Sequence, residues 1–556
     1  MCGIWAYLGL CNEVIDNPDR CIKQLKPRGP EQMVRVDMSG VILGFARLAI
    51  NGLNPDGMQP MRDERLIWMC NGEIYNWQQL AETYGIETRS GSDCEVLGPL
   101  YQKIVIDGGA TPDVFFRLLD GVFAMVIVDK IARTITVGRD PYGVRPLFMG
   151  QRLGLTNARQ VYTSGLLFSS EIKGMWPVVQ SSLQFPPGTC QTYTTETFQC
   201  TYTAKFHHIQ NLKNPLYSSV EPTGLEMACA GLRTALVSAV RKRMLAERPI
   251  AALLSGGVDS SLIASLVAKE MREVGGPKLK TFSVGMLGSQ DLLYARKVAD
   301  WIDSDHHEIV LEPRDFLNAI PEVIKTIESF DTTTVRASVG NWLVAREVAR
   351  QSDCKVVFNG DGSDEVFGSY LYFYNAPHDS GYEEEVSRLL GEIHSFDVLR
   401  SDRTISCHGL EPRTPFLDKQ FVNVARSIAT EWLRPQKNGL CEKWILRRAF
   451  DDGVTLPHEV LWRRKEAFSD GVSPTEKSWS QLIAEYVEDY VPVRWREDAE
   501  QKYPNLTPTT AEQFFYRFHF EANYGKASSH SVIPHFWMPK WSPGVTDPSA
   551  RALAIY

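Results

Sequence analysis

The chain places a thiol one residue from its start, in Met1-Cys2-Gly3-Ile4. Trimming of a methionine that precedes a small residue would leave Cys2 with both a thiol and a free α-amine. An α-amine with an ordinary pKa of about 7.7–8.0 suits a general base at neutral pH. Nucleophile and base then sit on one residue. Met-Cys by itself favours the plainer reading, an inert, buried cysteine in a first strand. A second stretch, Leu254-Ser255-Gly256-Gly257-Val258-Asp259-Ser260-Ser261, follows a short apolar run and opens a helical pattern. In that setting backbone N–H groups and a helix dipole meet an anion. A third, Asn359-Gly360-Asp361-Gly362-Ser363-Asp364-Glu365, follows the run Lys355–Phe358. Carboxylates on a Gly-rich turn suit a metal ligand and a base, or simply an acidic turn. His207-His208 and His306-His307 are adjacent pairs, poorly spaced to chelate together; they read as structural or surface residues, and no zinc is expected.

Two kinds of element must hold these groups. Up to about residue 200 short apolar runs recur at Gly3–Leu8, Val41–Ala49, Leu66–Cys70, Val122–Val128, Thr134–Gly138 and Leu166–Phe168, separated by Gly, Asn and Asp turns. A helix fits between Glu95 and Ile104, with Val96, Leu97, Leu100 and Tyr101 on one face. Many strands and few helices imply layered sheets, an α+β domain over residues 2–205. The polar stretch 206–223 reads as a linker. Residues 224–556 then alternate strands (Ile250–Leu254, Thr281–Val284, Glu308–Leu311, Lys355–Phe358) with helices (Ser260–Glu270 and the Leu292, Ala295, Val298, Ala299, Ile302 face). That rhythm implies an α/β, doubly wound parallel sheet with ligands at the carboxyl ends of its strands. Helical additions and a Trp- and Pro-rich tail complete the chain.

Composition sets the setting. With 556 residues and 44% hydrophobic, the chain is an ordinary globular one, and its net charge of −8 gives no field for nucleic acid or an anionic membrane. Eleven cysteines with no Cys-x-x-Cys pair fit a reducing compartment rather than a disulfide framework. No signal peptide and no membrane-length apolar run is seen, so a cytoplasmic protein is expected.

Further blocks stand in order: Arg28-Gly29-Pro30, Arg47-Leu48-Ala49-Ile50, Asn71-Gly72-Glu73-Ile74-Tyr75-Asn76, Ser92-Asp93-Cys94-Glu95 and Gly138-Arg139-Asp140-Pro141-Tyr142-Gly143. With Cys2 they resemble the class-II glutamine amidotransferase domain, which implies a layered αββα N-terminal-nucleophile fold. The resemblance implies that Arg47, Leu48, Ala49 and Ile50 bind glutamine, Arg47 through a two-pronged contact with its α-carboxylate. Glu73 and Asp93 would take the α-ammonium. Asn71 and Gly72 would stabilise the oxyanion formed as Cys2 attacks. The sequence departs from the family pattern at Pro27, Glu31 and Asn51-Gly52, all in loops near the glutamine.

The second half adds Asp331–Ser338, Arg413-Thr414-Pro415-Phe416-Leu417-Asp418, Trp462–Gly471 and Trp537-Met538-Pro539-Lys540-Trp541. In this order the chain resembles the glutamine-hydrolysing asparagine synthetases over essentially its whole length. The 254–261 loop is similar to that of enzymes cleaving ATP to AMP and pyrophosphate. The resemblance implies ATP contacts at Leu254, Ser255, Gly256, Gly257, Asp259, Ser260, Val284, Asn359 and Gly360, and Mg²⁺ on Asp259 and Asp364. Lys465 would neutralise charge on the phosphates. Thr333 and Arg336 would help bind aspartate or its adenylate, and Asp361 would serve adenylation and proton removal. Asn359 replaces a usual Ser or Thr, and Asp361 a common Glu. Substrates would be ATP, aspartate and glutamine, in a homodimer, with an internal passage for ammonia. A related enzyme amidating another carboxylate, or a silent regulatory homologue, are the alternatives.

Overall fold

The computed structural model describes the chain except residues 11–14, 16, 156–160, 177, 180, 210–212, 437–438, 466–470, 474–476, 546 and 549–556. Part of the Trp462–Gly471 block, Glu466–Asp470, thus lies outside the described residues.

Four strands carry the first site: β1 (Gly3–Gly9), β2 (Val41–Arg47), β3 (Leu66–Ile74) and β4 (Gly121–Asp129). β1 pairs with β2 and with Val161–Ser169 inside one six-stranded sheet, while β3 and β4 pair inside a second. Both sheets are antiparallel throughout. Period-two alternation decides the layers. Ile67 and Met69 of β3 join Ile4, Ala6 and Leu43 in the core between the sheets. Trp68, Cys70 and Ile74 face the other way, onto the helices Trp77–Tyr84, Leu97–Tyr101 and Pro112–Leu118. On the outer face of the first sheet Trp5 and Tyr7 pack with Ile22 of the short helix Pro18–Lys23 and with Leu25 in the turn after it. The result is the helix–sheet–sheet–helix order that the resemblance implied. The helix expected over Glu95–Ile104 is α-helical only from Leu97 to Tyr101 and continues as a π-helical turn to Asp107.

The second half contains β5 (Ile250–Leu253), α1 (Val258–Glu273), β6 (Lys280–Gly285), β7 (Asp305–Val310), α2 (Thr332–Gln351), β8 (Val356–Phe358), α3 (Asp397–Ser406), β9 (Glu411–Arg413) and α4 (Ala511–Ser529). The five strands lie in the order β7-β6-β5-β8-β9, all parallel. Both faces are covered: Ala252 and Phe358 pack into one core, Ala251 and Val357 into another. Such strands read as continuous apolar runs. β7 begins three residues before the expected Glu308 because His306 and His307 pair in register with Thr281 and Phe282, polar residues notwithstanding. The strand order reverses between β5 and β8, and the loops after these two strands flank that crevice, where wound sheets bind ligands. The tail is held by packing, as its composition suggested: Trp537 stacks edgewise on Tyr370, and Trp541 on Phe373.

The halves share apolar cores. Leu48, Ile50, Val122 and Tyr142 pack with residues of the parallel-sheet half, and Trp5 and Tyr7 belong to a core that includes Phe282. No helix among the described residues is long and apolar enough to cross a membrane.

Candidate active sites

Cys2 sits at the entry to β1. Its backbone N–H donates to Asn71 Oδ1 (3.1 Å) and its thiol to the Leu48 carbonyl (3.6 Å). Asn71 is fully buried, and its Nδ2 donor has no partner. A buried donor left idle costs about 1–3 kcal/mol, which an oxyanion beside Cys2 would recover. Asn71-Gly72 lies within strand β3 and not at a hairpin turn. A Cβ on Gly72 would lie 2.0 Å from the Val122 carbonyl oxygen, so only glycine lets β3 approach β4 there.

Arg47 ends β2 and is buried; its guanidinium donates to the carbonyls of Gly52 (2.6 Å) and Asn54 (3.1 Å). The departure Asn51-Gly52 is therefore structural. Asn51 Nδ2 also donates to Glu73 Oε2 (2.8 Å), so this short loop fixes both an expected glutamine cation site and an expected anion site. Gly52 adopts φ 61°, a left-handed conformation that glycine supplies without strain. Glu31, the other departure, accepts from the Ala49 N–H (3.0 Å) and pairs with Arg248 (2.7 Å). Glu73 and Asp93 are both buried, and burial pushes both carboxyls up, Asp93 to about 6. Their near counter-cation, Arg413, is shared with Glu411 (2.6 Å against 3.4 Å to Glu73). Under-neutralised carboxyls of this kind attract an incoming ammonium. Burial holds the Cys2 thiol up at about 11, with the Met1 ammonium opposing the shift. That ammonium lies 3.6 Å from Glu411. While Met1 is attached, the Cys2 nitrogen is an amide and no base.

At the carboxyl ends of β5, β6 and β8 a cavity of about 230 Å³ opens. Leu254, Ser255, Gly257, Asp259, Ser260, Val284, Asn359, Gly360, Asp361, Asp364, Thr333 and Lys465 line it, together with Phe282, Tyr370, Asp397 and Arg400. Gly256 lies behind the wall as the turn itself, with φ 74°. Gly257 caps α1 without a side-chain bond, leaving the first helical N–H groups for an anion. A Cβ on Gly360 would come within 2.7 Å of the Ser260 nitrogen, so glycine lets the two loops touch. Asn359 donates to Ser401 Oγ of α3 (2.7 Å), which commits its amide to bracing the loop. Thr333 Oγ1 is buried without a partner.

Charge is concentrated on one wall. Lys443 Nζ lies 2.5 Å from Asp259 and 2.6 Å from Asp364, and Lys465 Nζ 2.6 Å from Asp364. Burial alone would raise the Asp364 carboxyl, but the two ammonium groups hold it far below the carboxylate range. Lys465 is pushed down by burial and up, by more, by Asp364 and Asp259. Two carboxylates converging beside a phosphate-type loop fit Mg²⁺, which keeps water and phosphate as its other ligands. Among the described residues no group of three or more His, Cys, Asp or Glu could hold a metal unaided. Asp361 accepts from Arg400 Nη2 (3.0 Å), and its other oxygen is buried without a partner. Burial raises this carboxyl and Arg400 opposes the rise.

Arg336, an expected aspartate contact, is committed elsewhere. It does not line the cavity; its guanidinium forks onto Glu512 of α4 (2.5 and 2.8 Å) and onto Asp547 (2.8 and 2.9 Å). Thr333, Ala337, Asn341 and Val344 form the cavity face of α2. At about 100° per residue Arg336 falls roughly a quarter-turn off that face.

Family comparison agrees with this two-site geometry. A model described as glutamine amidotransferase domain matches residues 1–228, and one described as asparagine synthase matches 231–389 and 377–543. Asparagine synthetase [glutamine-hydrolyzing] of Gallus gallus is 40% identical, over 100% of this chain and 99% of its own. The Homo sapiens protein of that name is also 40% identical with the same coverage. The chain belongs to the asparagine synthetase family. Among solved structures, the allosteric regulatory enzyme of purine biosynthesis superimposes with TM-score 0.30 at 17% identity, covering 55% of this chain and 80% of that one. NMN synthetase from Francisella tularensis gives TM-score 0.23 at 13% identity, covering 53% and 95%.

Within this family member, sequence reasoning missed Lys443, Arg400, Asp397 and Tyr370. Lys443 is a single lysine in the left-handed conformation (φ 57°) before a short helix, with no pattern to flag it. Arg400 and Asp397 look like the polar face of an ordinary helix. Arg28 stood in a recognised block without a role; its Nε donates to the Cys2 carbonyl (3.0 Å).

Proposed function

We infer that this protein makes asparagine from aspartate, ATP and the side-chain nitrogen of glutamine. The observation that carries the reading is that one chain folds both halves of that chemistry, a cysteine bonded to an asparagine whose amide donor is idle and a phosphate-loop cavity, into bodies with shared cores. In the first site, Cys2, freed of Met1, attacks the glutamine amide. Its own amine takes the thiol proton and passes it to the departing nitrogen, Asn71 Nδ2 and the Gly72 N–H hold the oxyanion, ammonia leaves, and water then hydrolyses the γ-glutamyl thioester to glutamate and free Cys2. Arg47 and the Glu73–Asp93 pair orient the substrate by its two charged ends.

In the second site the aspartate β-carboxylate displaces pyrophosphate from the α-phosphorus of ATP, giving β-aspartyl-AMP. The α1 N-terminus, Lys443 and Lys465 hold the leaving pyrophosphate. Asp259 and Asp364 would hold Mg²⁺, which supplies charge neutralisation on those phosphates. Ammonia then attacks the acyl carbon, AMP leaves, and Asp361 takes the proton released. Ammonia is a nucleophile only while unprotonated, so an enclosed junction favours the transfer. Arg28, Glu411 and Arg413 at that junction are all buried. The reading extends to a cytoplasmic homodimer, which sedimentation and cell fractionation test.

The deciding experiment is Cys2→Ala in the full chain with ATP, Mg²⁺ and aspartate. Synthesis from glutamine should vanish, and synthesis from ammonium salts should stay within about twofold. Persistent glutamine hydrolysis would overturn the nucleophile assignment.

A further inference from the structure

α3 presents two faces to two sites. On one, Arg400 reaches Asp361 (3.0 Å) and Asp397 (2.5 Å) in the ATP cavity. Two residues on, roughly half a turn round the helix, Asp402 grips Arg28 from the other half of the chain. Its oxygens lie 2.7 and 3.2 Å from Arg28 Nη1 and Nη2. Ser406, one turn further, takes Nη1 at 2.9 Å, and Glu171 takes it at 2.9 Å. Nε donates to the carbonyl oxygen of Cys2 (3.0 Å).

Arg28 is 0% exposed and Asp402 1%. The direction of the guanidinium is therefore set by these protein partners. A planar guanidinium gripped at both Nη atoms by one carboxylate cannot rotate its Nε independently. The Cys2 carbonyl is thus held along a line that starts on α3. Cys2 is otherwise held by its N–H to Asn71 and its thiol to Leu48. Loss of the third tether frees the peptide plane that aims the thiol. A buried ion pair is a poor device for stability, since desolvation consumes most of its Coulomb gain. Fixing one orientation is what such a cluster does well.

We propose that Asp402, assisted by Ser406, is a positioning residue for the Cys2 nucleophile, contributed by the synthetase half and acting through Arg28. The proposal rests on Cys2 being the nucleophile. Asp402 touches neither glutamine nor ATP, so its effect belongs in turnover of glutamine and not in its binding.

The test compares full-length wild type, Asp402→Asn, Ser406→Ala and Cys2→Ala, measuring glutamine hydrolysis and ammonia-dependent asparagine synthesis separately. Asp402→Asn should lower kcat for glutamine hydrolysis by about ten- to a hundredfold, the scale of a misplaced reacting group. KM for glutamine and the ammonia-dependent rate should stay within about twofold, because Arg47, Glu73, Asp93 and the ATP cavity keep their contacts. Ser406→Ala, which removes one hydrogen bond and no charge, should lower the same kcat by about two- to fivefold. If Asp402→Asn does not fold, as judged by lost ammonia-dependent synthesis, Ser406→Ala decides alone. The proposal is overturned if kcat for glutamine is unchanged in the folded variants. It is equally overturned if KM rises with kcat unaltered, or if both activities fall together in Ser406→Ala. Glutamine hydrolysis surviving in Cys2→Ala would remove the underlying reading instead, which separates the two failures.

Discussion

Replacing Asp361 by Asn isolates proton transfer from everything else this residue does. The carboxylate uses Oδ1 to accept from Arg400 Nη2 (3.0 Å), and an Asn carbonyl oxygen can keep that bond. Arg400 also retains Asp397 at 2.5 Å, so its guanidinium is not stranded. The folding cost should then be about 1 kcal/mol, that of one weakened hydrogen bond. What disappears is basicity at the other oxygen, which is buried with no partner and whose proton affinity burial has raised. General bases contribute about 10²–10⁴ in rate, equivalent to about 2.7–5.4 kcal/mol of barrier. Steady-state assays of Asp361→Asn with ammonium chloride, ATP and aspartate should therefore show kcat lower by that factor. Glutamine hydrolysis and the melting temperature should be nearly unchanged. Asp361→Glu, which restores the carboxylate, should regain measurable activity. A rate for Asp361→Asn within about threefold of wild type, below the weakest base effect, would refute the role and leave Asp361 as a turn residue.

Further outcomes follow from the charged groups. Lys443→Met leaves Asp259 and Asp364 facing each other without their shared ammonium. Pyrophosphate formation with either nitrogen donor should fall by about 10²-fold or more while glutamine hydrolysis survives, and near-normal pyrophosphate release would dismiss a phosphate role. Arg336→Gln strands the buried Glu512, so denaturant titration should show a loss of about 3 kcal/mol with KM for aspartate unchanged. A large rise in that KM without a stability loss would restore the aspartate contact that the geometry removes. Burial alone would raise the Glu171 carboxyl, but Lys173, Arg28 and Arg403 hold it at about 2 against an ordinary 4.5. A depressed carboxyl stabilises the fold above its unfolded value, and that contribution, about 3 kcal/mol, is lost as pH falls from about 4.5 to 2. Urea midpoints of Glu171→Gln should be lower than wild type at pH 7 and converge with it only by about pH 2; parallel curves would sink the assignment.

The local sequence settled much of this protein. The alternation Ile67-Trp68-Met69-Cys70 already divides β3 between two cores, because successive strand side chains point to opposite faces. The run Leu254-Ser255-Gly256-Gly257 after an apolar strand, and Asn359-Gly360 after another, locate the two loops that meet at the cavity. Those inferences need only neighbours within a turn or two. Tertiary structure decided what depends on rotation and on distant partners. Arg336 and Thr333 share one helical turn, and only the packing of α2 turns Thr333 to the cavity and Arg336 to Glu512. Arg28 meets Asp402 across 374 positions of chain, and Lys443 reaches Asp259 across 184. A single cation carries no periodicity: Lys443 met its carboxylates only when distant segments of the second half packed together, and Arg28 met Asp402 only when the two halves did.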